Sequence, residues 1–162
     1  LIVTAYGEVA DEVEAALAAA GDDRRAAWAA GCGALRSWAL RRPHEWALLY
    51  GSPVPGYAAP PDTVGPAVRL YTALAAPLRG PKLRPVERVD DVLRADLERL
   101  LAGVGLANAA PGRGLRLLGG LAHVVGAVSL EVFGHLTGVV EGAGRDAHFD
   151  AQVGLAAATA GL

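Results

Sequence analysis

Apolar residues recur at helical spacing from one end of the chain to the other, and the pattern is strongest over Leu115–Val140. At 3.6 residues per turn one stripe there is Leu118, Leu121, Ala122, Val125, Ser129, Val132, Leu136 and Val139. The opposite side holds Leu117, Val124, Ala127, Val128 and Leu130, so no broad polar face remains. A helix apolar nearly all round has to be covered all round, by protein or by lipid. One chain of this size covers one face with its own helices, and a second copy covers the other. The pattern predicts a helical dimer built on this segment.

Elsewhere the stripes are narrower and the helix ends are marked. Ile2, Tyr6, Val9, Val13, Ala16, Leu17 and Ala20 form one face of a first helix ending at Gly21. Asp22 and Asp23 are placed to cap a second, along which Trp28, Cys32, Leu35 and Ala39 recur. Pro43 ends it and opens a short helix, His44–Tyr50, closed by Gly51. Ser52–Pro61 is a stiff proline loop, cheaper to order than a glycine-serine one. Val64, Val68, Tyr71, Leu74, Ala75 and Leu78 mark the next helix, with Pro66 in its first turn; Gly80, Pro81 and Pro85 then break the chain. Val89, Val92, Leu93, Leu97, Leu100 and Leu101 form a further helix capped around Asp90, followed by the loop Gly103–Gly114. After the long helix, Gly142 and Gly144 turn the chain, and Asp146 caps a last helix carrying Phe149, Val153, Leu155 and Ala156. No stretch alternates apolar and polar residues as a strand does. The expected fold is all-α, one domain over residues 1–162 with about seven helices.

The 162 residues are 52% hydrophobic and 20% charged, a globular composition whose excess of alanine suits close helix packing. A net charge of −2 and a pI near 6.1 leave no electrostatic footprint for nucleic acid, so this stretch is not expected to bind DNA by itself. The single cysteine, Cys32, excludes an internal disulfide and fits a reducing cytosol. It reads as a small core residue rather than a redox sensor, because nothing beside it lowers its pKa. With no methionine, even at position 1, and an opening inside the apolar run LIVTAYGEV, Leu1 is expected to be a truncation point. Leu1–Tyr6 is too short for a signal h-region.

Leu117–Val140 is long enough to span a bilayer, and Gly134, Gly138 and Gly142 have the spacing of a small-residue helix contact. His123, Glu131 and His135 within the segment, and the lack of aromatic belts and basic flanks, oppose that reading. A buried helix in a soluble, cytoplasmic protein is expected, with no membrane partner.

Patterns for catalysis are thin. Ser129 in GAVSLE lacks the glycines of a nucleophile elbow and lies mid-helix. There is no HExxH and no glycine-rich phosphate loop. His123 and Glu131 are eight residues apart, about two turns, too far for a compact local metal site. His148 and Asp150 fall on different sides of a helix. No catalytic residue, metal or cofactor is expected, and the chain is not read as an enzyme. His123, Glu131 and His135 are expected at an interface edge or in satisfied hydrogen bonds. A buried Glu131 needs a partner donor, because an unpaired buried charge is too costly to keep. Trp28, Trp38, Trp46, Tyr50, Tyr57 and Tyr71 fall either side of the proline loop. They are either the large members of an alanine-rich core or the wall of a small-molecule pocket.

Two blocks, RRPHEWALLYGSPVPGYAAP (Arg41–Pro60) and HVVGAVSLEVFGHLTGVVEGAGRDAHFDAQV (His123–Val153), resemble the C-terminal domain of TetR-family transcriptional regulators. The likeness runs in order across essentially the whole chain. More narrowly it resembles the subgroup named for a Trp-His-Gly signature, with Leu121 and Val125 in place of the Trp and His, and Gly126 kept.

The resemblance implies an effector-binding and dimerisation domain that follows a helix-turn-helix domain missing from this chain. Operator DNA is then reached only through that missing domain. The last two long helices, here Leu115–Val140 and about Asp146–Ala160, are expected to form an intersubunit four-helix bundle in a homodimer. Its candidate interface residues are Val124, Val128, Glu131, His135, Phe149 and Val153. In the family a small molecule biases the tilt of the first helix, and so the spacing of the paired DNA-reading heads. Candidate pocket-wall residues, taken from positions expected to face inward, are Tyr6, Val9, Val13, Trp28, Cys32, Leu35, Tyr71, Leu118 and Ala122. Their chemistry favours an apolar or aromatic effector of a repressor. The alternative is a helical enzyme or carrier for a small apolar ligand, which requires two convergent titratable groups in the pocket. A third reading, a bare dimerisation module, requires a fully packed interior.

Overall fold

The computed structural model describes residues 1–51, 63–79 and 88–162. Among them it has seven α-helices and no strand: α1 (Ile2–Ala20), α2 (Arg24–Arg41), α3 (Pro43–Tyr50), α4 (Val64–Ala75), α5 (Asp91–Gly103), α6 (Pro111–Val132) and α7 (Gly144–Ala160). A 3-10 turn, Ala76–Leu78, continues α4. The proline loop Ser52–Pro61 and the breaks at Gly80, Pro81 and Pro85 lie outside the described residues.

Local chemistry sets the first boundaries. Gly21 ends α1 with φ of 69°, a backbone that costs glycine little. The Asp23 carboxylate accepts from the backbone N–H groups of Arg25 at 2.9 Å and Ala26 at 3.2 Å, satisfying two of the donors that open α2. Pro43 occupies the first turn of α3, where its missing N–H is no loss. Asp90 caps α5, its carboxylate accepting from Val92 N–H at 2.9 Å.

α1 packs against α2 and α4, and α6 packs against α5 and α7; α2 also reaches α6 and α7 and ties the two groups together. Their shared core holds Val9 and Val13 of α1, Trp28 and Leu35 of α2, Trp46 of α3, Leu70 and Leu74 of α4, and Leu117, Val124 and Val128 of α6. Small residues set the α6–α7 distance. A Cβ on Gly120 would sit 2.9 Å from the Ala160 Cβ and 3.2 Å from the Ala156 carbonyl oxygen.

Two boundaries differ from the periodicity. The long helix runs over Pro111–Val132, not Leu115–Val140. It starts early because Pro111 suits a first helical turn. It stops early because Gly134, at φ of 77°, donates its N–H to the Glu131 carbonyl at 3.1 Å while His135 N–H reaches the Leu130 carbonyl at 2.8 Å. Those two bonds are the Schellman closure of a helix end. Gly138 and Gly142 also have positive φ, so the three glycines make turns and not a helix contact. The last helix begins at Gly144 without a side-chain cap, and Asp146 lies inside its first turn, paired to Arg36. By length and composition α6 is able to cross a bilayer. Its apolarity is used here on a core face, through Leu117, Leu121, Val124 and Val128, and on an outer face that carries Leu115 and Leu130.

Candidate ligand cavity and the outer face of α6 and α7

A cavity of about 360 Å³ lies among α3, α4, α5 and α6, within the size range of small-molecule sites. α6 supplies Leu117, Leu118, Leu121, Ala122 and Val125, a spacing that keeps all five on one helical face. Leu100 of α5, and Val104 just beyond it, close another side. Tyr50 of α3 and Tyr71 of α4 complete the wall and bring the only polar side-chain atoms among the described lining residues.

The two phenols belong to a small aromatic cluster. Their hydroxyl oxygens are 3.3 Å apart, within hydrogen-bond distance. The Tyr6 ring of α1 stands edge-on to Tyr50, centroids 6.5 Å apart at 80°, an arrangement the ring quadrupoles favour. Trp46 lies against Tyr50 at 4.4 Å and donates its indole N–H to the Ser129 hydroxyl at 3.1 Å. Burial first, then the neighbouring Tyr71, pushes the Tyr6 phenol up to about 12. Burial pushes Tyr50 up further, with Tyr71 and Tyr6 adding to it. These phenols stay neutral across the physiological range.

Of the expected wall residues, Tyr71, Leu118 and Ala122 line the cavity. Tyr6 reaches it through the tyrosine cluster. Val9, Val13, Trp28, Cys32 and Leu35 are buried in the core and are not among the lining of this cavity. Trp28 has a structural task there: its indole N–H donates to the Val153 carbonyl at 3.1 Å, pinning α2 to α7. Burial pushes the Cys32 thiol up, which keeps it protonated and inert. The sequence pattern did not single out Leu100 or Val104, because only the tertiary fold brings α5 to this face of α6.

The expected interface residues are redistributed in the same way. Val124, Val128, Phe149 and Val153 are buried inside their own chain. Glu131 is buried too and has the donor it requires: the Arg36 guanidinium of α2. Arg36 also pairs with Asp146 at 2.9 Å and lies over the Phe149 ring at 4.9 Å. His135 is exposed in the turn after α6. The residues that do face outward are Leu115 and Leu130 of α6, Phe133 just past it, and Leu155 of α7, while the exposed part of Leu118 lies at the rim of the cavity. Beside them His123 meets the Gln152 side-chain oxygen at 2.6 Å, and the Gln152 nitrogen meets His148 at 3.1 Å, a polar link between the two helices. Among the described residues no three His, Cys, Asp or Glu side chains are grouped to hold a metal.

The domain is all-helical among its described residues, with an apolar cavity between its middle helices and two long helices at its end. The family described as tetracyclin repressor-like, C-terminal domain, matches residues 28–156. The chain belongs to that family. It is 40% identical over 150 residues to HTH-type transcriptional regulator Mb1846 of Mycobacterium bovis and to HTH-type transcriptional regulator Rv1816 of Mycobacterium tuberculosis. Each match covers 83% of this chain and 60% of the relative, so the chain spans well under two thirds of those proteins' length. The crystal structure of regulatory protein SCO4313 is similar at 30% identity and a TM-score of 0.70, covering 96% of this chain and 69% of that one.

Proposed function

We propose that this chain is the effector-binding and dimerisation domain of a TetR-like transcriptional repressor, responding to a small apolar or aromatic molecule. The observation that carries the reading is the cavity walled by one face of α6 and by Tyr50 and Tyr71. It contacts α6, which also carries the exposed Leu115 and Leu130, and through Tyr6 it reaches α1. A molecule seated there touches both the helix proposed to pair with a second copy and the helix proposed to lead to the DNA-reading heads. An effector shifts such a system only by binding one arrangement better than the other. Operator binding belongs to the part of the protein beyond this domain, and the protein works in the cytoplasm without a catalytic step. The enzyme or carrier alternative is less favoured, because the described wall offers two phenols and no acid–base pair.

The test is a thermal-shift screen of neutral aromatic compounds, since a ligand specific to the folded state raises its melting temperature. Hits are expected to lose their effect in Ala122→Trp, which fills the cavity from its exposed edge. A screen without a cavity-dependent hit overturns the effector assignment.

A further inference from the structure

We propose that the cavity selects an uncharged ligand with an apolar body and one hydrogen-bond acceptor oxygen, a ketone or an ether-like group, held by the Tyr50–Tyr71 hydroxyl pair. This rests on the effector-cavity reading above. The chemistry follows from counting protons. Tyr71 is hydrogen-bonded to Tyr50, their oxygens 3.3 Å apart, and also to Tyr6. Three phenols carry three O–H donors and these two bonds use two, so one hydrogen needs a further acceptor. When it belongs to Tyr50 or Tyr71, the described lining offers it only leucine, valine and alanine side chains. A buried donor without an acceptor costs more than the bond is worth, so an oxygen presented to this pair is favoured over carbon.

Charge is selected against by the same wall. No lysine, arginine or histidine is among the described lining residues, so a carboxylate would lose its hydration without gaining a cation. A ligand cation would meet no carboxylate either. Tyr50 itself remains a donor, because burial pushes its phenol up and keeps it protonated. Tyr71 neighbours both Tyr50 and the Tyr6 phenol of α1. It is therefore the residue through which an oxygen in the cavity is felt at the first helix.

Benzophenone, diphenylmethane and diphenylacetate differ at one group and separate the possibilities. Binding is read by quenching of tryptophan emission, with Trp46 at 4.4 Å from Tyr50, and by thermal shift. Benzophenone is expected to bind roughly tenfold more tightly than diphenylmethane, the ratio one well-made hydrogen bond gives, and diphenylacetate most weakly. In the double variant Tyr50→Phe, Tyr71→Phe, which leaves the cavity no O–H donor, that ratio should fall towards one while diphenylmethane binding holds. Equal binding of the two neutral compounds to the unmodified protein overturns the proposal and leaves the cavity reading intact. So does tightest binding of diphenylacetate, or a benzophenone preference that survives the double variant. If none of the three binds, the cavity reading falls and the proposal falls with it.

Discussion

The Arg36 guanidinium donates two hydrogen bonds to the Glu131 carboxylate, Nε to Oε2 and Nη2 to Oε1, both at 2.7 Å. The two side chains are only 15% and 5% exposed, so the pair joins α2 to the end of α6 in a mostly dry setting. Glu131 holds Arg36 firmly protonated, its hydrogen bond outweighing the opposing effect of burial, and Asp146 adds to it. Removing one partner strands the other, which for buried pairs costs about 3–5 kcal/mol. Arg36→Ala and Glu131→Ala are each expected to lower stability to urea by about 3 kcal/mol, towards the bottom of that range because one edge of Arg36 is wet. The double variant Arg36→Met, Glu131→Leu should recover most of the loss, since apolar replacements leave no charge unpaired. Single variants costing less than about 1 kcal/mol would show the pair to behave as a surface one.

Alkaline pH should weaken the fold through the tyrosines. Tyr6 has its folded pKa raised from 10.0 to about 12, and Tyr50 is raised as well. Between those values the unfolded chain has released protons that the folded chain still holds. Stability supplied by these groups is then complete below pH 10 and is lost as pH climbs towards 12 and beyond. A urea midpoint measured across that window should fall steeply, and Tyr6→Phe should flatten the fall. A midpoint insensitive to the Tyr6→Phe change through this range would show that the phenol titrates alike in both states.

At the end of α6 the chain turns on Gly134, with φ of 77°. A Cβ there carries the strain of the left-handed region, about 1–2 kcal/mol per residue. Gly134→Ala should cost about that much in chemical denaturation, while Gly126→Ala, in mid-helix with nothing near its Cβ position, should be neutral or stabilising. Equal effects at the two sites would mean the Schellman closure contributes nothing.

Gly134 also shows why some of this fold is legible in the sequence and some is not. Gly21, Asp23, Pro43 and Asp90 act on their own neighbours, and the helix ends they set are where the pattern places them. Glycines at 134, 138 and 142 are ambiguous: four-residue spacing suits a helix contact as well as a run of turns, and apolar residues beyond Val132 masked the stop. Periodicity finds the sides of α6 but not which side its own chain covers. The core takes Leu117, Leu121, Val124 and Val128, drawn from both stripes. It likewise marks Val9, Val13, Cys32 and Leu35 as inward without telling a core position from the lining of this cavity. Arg36, 95 residues from Glu131, leaves no local signal at all. The need for a donor was readable from Glu131, but its identity was a tertiary fact.

That redistribution separates assembly from folding on the two terminal helices. Leu130 of α6 is 45% exposed and Leu155 of α7 is 56% exposed, whereas Val128 and Val153 are buried in their own subunit. If a second copy covers the outer face, as proposed, the unmodified protein should sediment as a two-chain species, with each partner presenting the same surface. Leu130→Glu with Leu155→Glu places charges where they would be desolvated only in the dimer. That variant should sediment as a single chain with its helical circular dichroism unchanged. Val128→Ala should do the opposite: it opens a gap in the subunit core and lowers stability by about 1–3 kcal/mol, while the mass in sedimentation stays that of two chains. A two-chain mass that survives both glutamates would move the interface off this face. A single-chain mass for the unmodified protein at high concentration would remove the dimer altogether, and with it the proposed route from the cavity to a pair of DNA-reading heads.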